Sequence, residues 1–213
     1  MAIACLGFAV IFVLAFNVFL QASVSQQVNA LSLAPAVSGT AGNTATGNAA
    51  LTVLPTEKDK VRPYQWNGKN LELTAEGAGN GYETLIAVNS EIQLSAEEQN
   101  LYNKIANNVH HPCCDGPIGA CGCGHALAQQ GLAKLLIRQG FTEQQIMDEE
   151  LVWLKFFFPK HYVIMAQWLQ QQGRSLGELD ATAKFSSLQV ETIAEKQLSS
   201  GSISDIQSQV GGC

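Results

Sequence analysis

The stretch "HALAQQGLAKLLIRQGFTEQQIMDEELVWLKFFFPKHYVIMAQWLQQQG", His125 to Gly173, decides the fold class. Ala128, Leu132, Leu135 and Leu136 recur at helical spacing, so they share one face of a helix predicted to start near His125. Gly140 stops that helix, because glycine takes the left-handed cap conformation without steric cost. "TEQQ" at 142–145 is a capping box that opens a second helix, with Met147, Leu151, Leu154 and Phe158 in register. Pro159 ends or kinks it. A third helix, "KHYVIMAQWLQQQ", stops at Gly173. Connections this short predict antiparallel neighbours.

Upstream, "SAEE" at 95–98 is another capping box, and Leu101, Ile105 and Val109 follow at i, i+4 and i+8. Downstream, residues 181–199 read as one more helix. The fold class is therefore mainly α: a small antiparallel bundle of four to five helices over residues 94–200. Residues 51–93 read as an extended or small β arm. "LTVL", "NLELT", "TLIAV" and "EIQL" are strand-like runs there, parted by the turn signals "WNGKN" and "GAGNG". Residues 201–213 read as a flexible tail, ending in Cys213 after two glycines.

The chain begins quite differently. Of its 213 residues only 14% are charged, and the first charged side chain is Glu57. Residues 2–20 are apolar except for Asn17. At 1.5 Å per residue, that run is about long enough to cross a bilayer core of roughly 30 Å. Residues 1–21 thus read as a transmembrane anchor or a signal segment. The run exceeds the usual apolar core of a cleaved signal peptide, which favours the anchor. A buried core helix is the remaining reading. Residues 22–50 carry no charge and no aromatic ring, the composition of a flexible linker. The expectation is a membrane-anchored domain held outside the cytoplasm, or a secreted one if the segment is cleaved. A net charge of −6 and the absence of a basic stripe exclude a nucleic-acid partner.

Between the helices lies "HHPCCDGPIGACGCGHA", His110 to Ala126, with four of the six cysteines and three of the four histidines. Thiolates and imidazoles suit soft ions, so Cys113, Cys114, Cys121, Cys123, His110, His111 and His125 are candidate ligands for copper(I) or zinc. Cys-Cys and Cys-x-Cys are not the spacing of a zinc knuckle, and "CGCGH" is not a c-type haem attachment. Thiol redox chemistry is the alternative. Cys123 lies at a predicted helix N-terminus, where the positive end of the dipole favours a negatively charged sulfur. Cys123 would then be the nucleophile and His125 its tuning group. The third reading is a pair of structural disulfides in an interaction protein, as an oxidising compartment permits. His161, at a helix start, reads as solvated. Asp148, Glu149 and Glu150 read as a solvated face. Trp153, Phe156, Phe157, Phe158, Tyr162 and Trp168 read mostly as core, with a membrane-facing or partner-facing patch as the other option.

From the cysteine loop through "GLAKLLIRQGFTEQQIMDEELVWLKFFFP", the layout resembles the small thiol-reductase subunit of bacterial cytochrome c maturation. "GFTEQQI" at 140–146 fits that family's G-x-[ST]-x-x-x-I turn between helices. The resemblance implies a membrane-anchored helical domain that exchanges disulfides, with apocytochromes as substrates. That family's C-x-x-C is replaced here by Cys113-Cys114 and Cys121-x-Cys123. "CGCGH" also resembles the core of exported bacterial proteins with a Pro-Cys-Tyr-Cys-Gly-Cys motif, which implies export.

Overall fold

The structure, a computed structural model, describes residues 50–75, 81–184, 187–197, 203 and 205–212. After a 3-10 turn at Glu57–Asp59 comes a hairpin, β1 (Val61–Trp66) paired antiparallel with β2 (Lys69–Glu72). Its two-residue turn is Asn67-Gly68, both at positive φ (50° and 76°). That is the combination a type I′ turn requires, and the reason "NG" marked a turn. Helices follow: α1 (Tyr82–Glu91), α2 (Ala96–Asn108), α3 (Gly124–Arg138), α4 (Glu143–Phe157), α5 (Pro159–Gln171) and α6 (Ser187–Gln197). A short second hairpin, β3 (His110–His111) with β4 (Gly116–Pro117), joins α2 to α3 through a 3-10 turn at Ile118–Ala120. The described residues all belong to the unit Gly42–Cys213.

The helix boundaries follow the capping chemistry. Ser95 Oγ accepts from the Glu98 amide at 3.3 Å, and Glu98 accepts from the Ser95 amide at 2.7 Å. Thr142 and Gln145 make the same reciprocal pair at the start of α4. Gly140 and Gly173 leave α3 and α5 at positive φ. Pro159 occupies the first turn of α5, where its missing N–H costs nothing. Phe158, between α4 and α5, has φ −126° and ψ 56°. That break turns Phe158 inward beside Phe157, while Phe156 stays half-buried.

Three sequence expectations change. "TLIAV" and the start of "EIQL" are helical rather than strand-like, since both fall in or at the end of α1. α1 packs on α3 at Gly131, where an added Cβ would collide with the Leu85 carbonyl. An apolar run of this length suits a strand or a buried helix, and this tertiary contact selects the helix. The core face of α4 is also shifted by one residue from the predicted register. Ile146, Glu150, Trp153, Leu154 and Phe157 are buried, whereas Met147 and Leu151 are half-buried. Glu150 is therefore in the core with 0% exposure, not on a solvated face. Neither of its carboxylate oxygens has a hydrogen-bond partner among the described residues, and burial, then the Glu149 charge, pushes its pKa well above the ordinary value. Asp148 does face outward, and Glu149 receives Arg62 of β1 in a bidentate pair at 2.8–3.1 Å.

The C-terminal residues expected to fray instead strap the core. The Val210 amide donates to the Phe157 carbonyl at 2.8 Å, and the Tyr82 hydroxyl donates to the Gly212 carbonyl at 2.7 Å. Cys213 lies outside the described residues, as do the predicted anchor at 1–21 and the predicted linker except for Ala50. Among the described residues, no helix is long and apolar enough to cross a membrane.

Candidate metal and thiol site

The β3–β4 hairpin builds the site. His110 and His111 are consecutive strand residues, so their side chains leave opposite faces. His111 is the one that turns inward, with 0% exposure, and its ring meets Phe158 edge-on at 5.0 Å. The turn Pro112–Asp115 reverses the chain, with Asp115 at φ 51°. It carries Cys114 back over His111. Ile118 is fully buried and its amide donates to the Val109 carbonyl at 3.0 Å, which anchors the far side of the loop. Cys121 follows, 8% exposed, and Cys123 is the N-cap residue of α3. The Cys123 side chain makes no capping bond, so its sulfur stays available to the loop.

Four side chains converge as a result. The ligand atoms of His111, Cys114, Cys121 and Cys123 all lie within 4.8 Å of one another. A tetrahedral zinc ion with Zn–S near 2.3 Å and Zn–N near 2.05 Å places its ligand atoms about 3.6–3.8 Å apart. Reaching that geometry takes up to about 1 Å of contraction at the widest pair and the parting of the Cys114 and Cys121 sulfurs, which are bonded to each other in this structure. Neither ring nitrogen of His111 has a hydrogen-bond partner among the described residues. Burial first, then the neighbouring His125 and His110, holds its pKa down at about 3, so the ring is neutral. A buried polar group without a partner costs about 1–3 kcal/mol. A metal–nitrogen bond is one way to recover that cost.

Within the same cluster, Cys114 and Cys121 are joined as a disulfide, while Cys123 is a free thiol. Exposure is graded across it: Cys114 is exposed, Cys123 half-buried, and Cys121 and His111 buried.

The other three predicted ligands lie outside this set. Cys113 is disulfide-bonded, which removes its thiolate. His110 is half-buried, its backbone amide donates to the Ala181 carbonyl at 2.8 Å, and burial lowers its pKa. His125 is buried between Phe157 and Phe158, each 4.9 Å from its ring. Its Nε2 lies 2.7 Å from the Val210 carbonyl, an acceptor only, so Nε2 donates there. His161 lines a neighbouring cleft of about 440 Å³ with Cys113, Phe158, Lys160, Glu191 and Glu195. The cysteine spacing in the sequence points to the loop. The C-terminal strap over His125 has no signal in the sequence.

No protein-family model, no curated protein and no solved structure matches the chain.

Proposed function

We propose that this chain binds a soft metal ion, copper(I) or zinc, through His111, Cys114, Cys121 and Cys123, for delivery or storage. The observation that carries the reading is His111: a neutral imidazole, wholly buried, with neither ring nitrogen partnered among the described residues and its ligand atom within 4.8 Å of three cysteine sulfurs. Three sulfurs and one imidazole nitrogen are a complete tetrahedral ligand set. The chemistry is retention and transfer of the ion rather than hydrolysis. A closed four-ligand site leaves no open position for a catalytic water. Residues 1–21 tether the domain to a membrane, and the domain faces an extracytoplasmic compartment. The apolar run at 2–20 and the disulfides support that placement.

The test is metal content. The full chain is reduced, equilibrated with Zn²⁺ or Cu⁺ under anaerobic conditions, and desalted. One ion per chain is expected, with retention falling at least about 10-fold in His111→Ala. A fully reduced chain that holds no stoichiometric ion would sink the proposal.

A second reading is favoured by one specific observation, the Cys123 thiol beside the Cys114–Cys121 disulfide. A thiolate at Cys123 attacking that disulfide is the elementary step of thiol–disulfide exchange. The resemblance to the thiol-reductase subunit of cytochrome c maturation supports this reading. It requires turnover of a disulfide peptide by metal-free protein, lost in Cys123→Ser.

A further inference from the structure

Two of the four atoms that would bind the metal are the two that the structure joins to each other. Cys114 and Cys121 belong to the cluster with His111 and Cys123, and they are also a disulfide. A disulfide sulfur carries no thiolate charge, and a thiolate is the form that ligates a metal. The same residues therefore support two forms that exclude one another. The reduced form offers three thiolates and an imidazole. The oxidised form leaves only His111 and Cys123.

The backbone serves both forms. The Cα atoms of Cys114 and Cys121 are 6.1 Å apart. That is within the usual 4.4–6.8 Å for a bridged pair and toward its long end. The sulfurs need only part from about 2.0 Å to about 3.8 Å, which side-chain rotation supplies. The difference in exposure gives the exchange a direction. Cys114 is open to solvent, while Cys121 is 8% exposed on the inner side of the loop. A small disulfide arriving from outside reaches Cys114 first, and Cys121 is placed behind it.

We propose that the metal site is redox-gated: oxidation of Cys114 and Cys121 by a low-molecular-weight disulfide expels the ion, and reduction by a thiol restores binding. The proposal rests on the reading that the cluster holds a metal. The chemistry balances in two exchanges. The Cys114 thiolate attacks the soluble disulfide, forming a mixed disulfide and releasing one thiolate. The Cys121 thiolate then attacks the Cys114 sulfur, forming the Cys114–Cys121 bond and releasing the second thiolate. Two protein thiolates have lost two electrons, the soluble disulfide has gained two, and the cation leaves with two of its four ligands gone. Reduction reverses each step, with the exposed Cys114 sulfur as the point of attack.

The experiment uses the full chain, reduced, loaded with Zn²⁺ and freed of reductant. It is titrated with glutathione disulfide in the presence of a chromophoric zinc chelator, and protein thiols are counted in parallel. One zinc released for each Cys114–Cys121 pair oxidised, with the other cysteines, Cys113 among them, followed separately by peptide mass, and rebinding after reduction, is the expected result. Affinity should fall at least about 100-fold, since losing two charged ligands exceeds the 10–100-fold cost of changes around a site. Mapping by peptide mass should place the new bond at Cys114–Cys121, in Cys123→Ser as in the parent chain. Stoichiometric zinc that stays bound after those two thiols are oxidised would overturn the gating and leave the metal reading standing. So would oxidation that consumes Cys123 instead. A reduced chain that binds no zinc would overturn both.

Discussion

Replacing Glu150 with Gln should change how stability depends on pH. The carboxyl is fully buried in α4, and neither oxygen has a hydrogen-bond partner among the described residues. Burial, reinforced by the Glu149 charge on the same helix, raises its pKa well above the ordinary value. Tyr102 of α2 faces it and is neutral in this range, its own pKa raised by burial and then by the Glu150 charge. The unfolded chain releases the Glu150 proton near pH 4.3, whereas the folded chain keeps it. Above that pH the folded state therefore binds more protons than the unfolded one, and stability falls as pH rises. The slope from this one group reaches about 1.4 kcal/mol per pH unit and persists until the folded-state pKa is passed. Below about pH 4 both states are protonated and the group contributes no slope. Glu150→Gln keeps the shape of the neutral acid and cannot ionise, so it removes the slope. For a chain of this size about 1 kcal/mol corresponds to about 2–4 °C in Tm. The variant should match the parent near pH 4 and gain on it by about 3–5 °C per pH unit above pH 5, until the folded-state pKa of Glu150 is passed. Thermal unfolding of both full chains by circular dichroism from pH 4 to pH 8 measures this. Parallel Tm–pH curves would show that Glu150 ionises freely in the folded protein and would refute the reasoning.

Two further substitutions probe the contacts that position the site. Gly131→Ala should cost about 1–3 kcal/mol by forcing α1 away from the Leu85 carbonyl contact with α3, read as a lower midpoint in urea; an unchanged midpoint would mean the two helices are not held at this spacing. Tyr82→Phe removes the hydroxyl that donates to Gly212, and should cost about 1 kcal/mol and speed proteolysis near the C-terminus; equal cleavage rates would show that the strap does not depend on that bond.

Much of the helical frame is legible from local chemistry. The capping boxes at Ser95 and Thr142, the stops at Gly140 and Gly173 and the break at Pro159 each appear where the residue types place them. These devices act within a few residues, so the sequence contains the whole of the physics. The α4 register is a different matter. Hydrophobic periodicity selects Met147 and Leu151 for the core and rejects Glu150, and the folded chain buries Glu150 all the same. The competition there is between neighbouring stripes of one helix, and contacts with α2 and α3 settle it. Likewise "TLIAV" reads as strand-like in the sequence, and its packing on Gly131 of α3 accompanies the helix it forms instead.

The site divides along the same line. That sulfur and imidazole ligands crowd into residues 110–125 is a property of the sequence. Which of them meet is not. Adjacent residues in a strand point to opposite faces, so a two-residue hairpin sends His111 inward and leaves His110 at the edge. The turn at Pro112–Asp115 then brings Cys114 to Cys121, while the strap from the C-terminus engages His125. Of seven candidate ligands the sequence supplies the identities. Only the tertiary structure selects four, because convergence on one point depends on strand pairing and chain reversal, and spacing alone leaves both open.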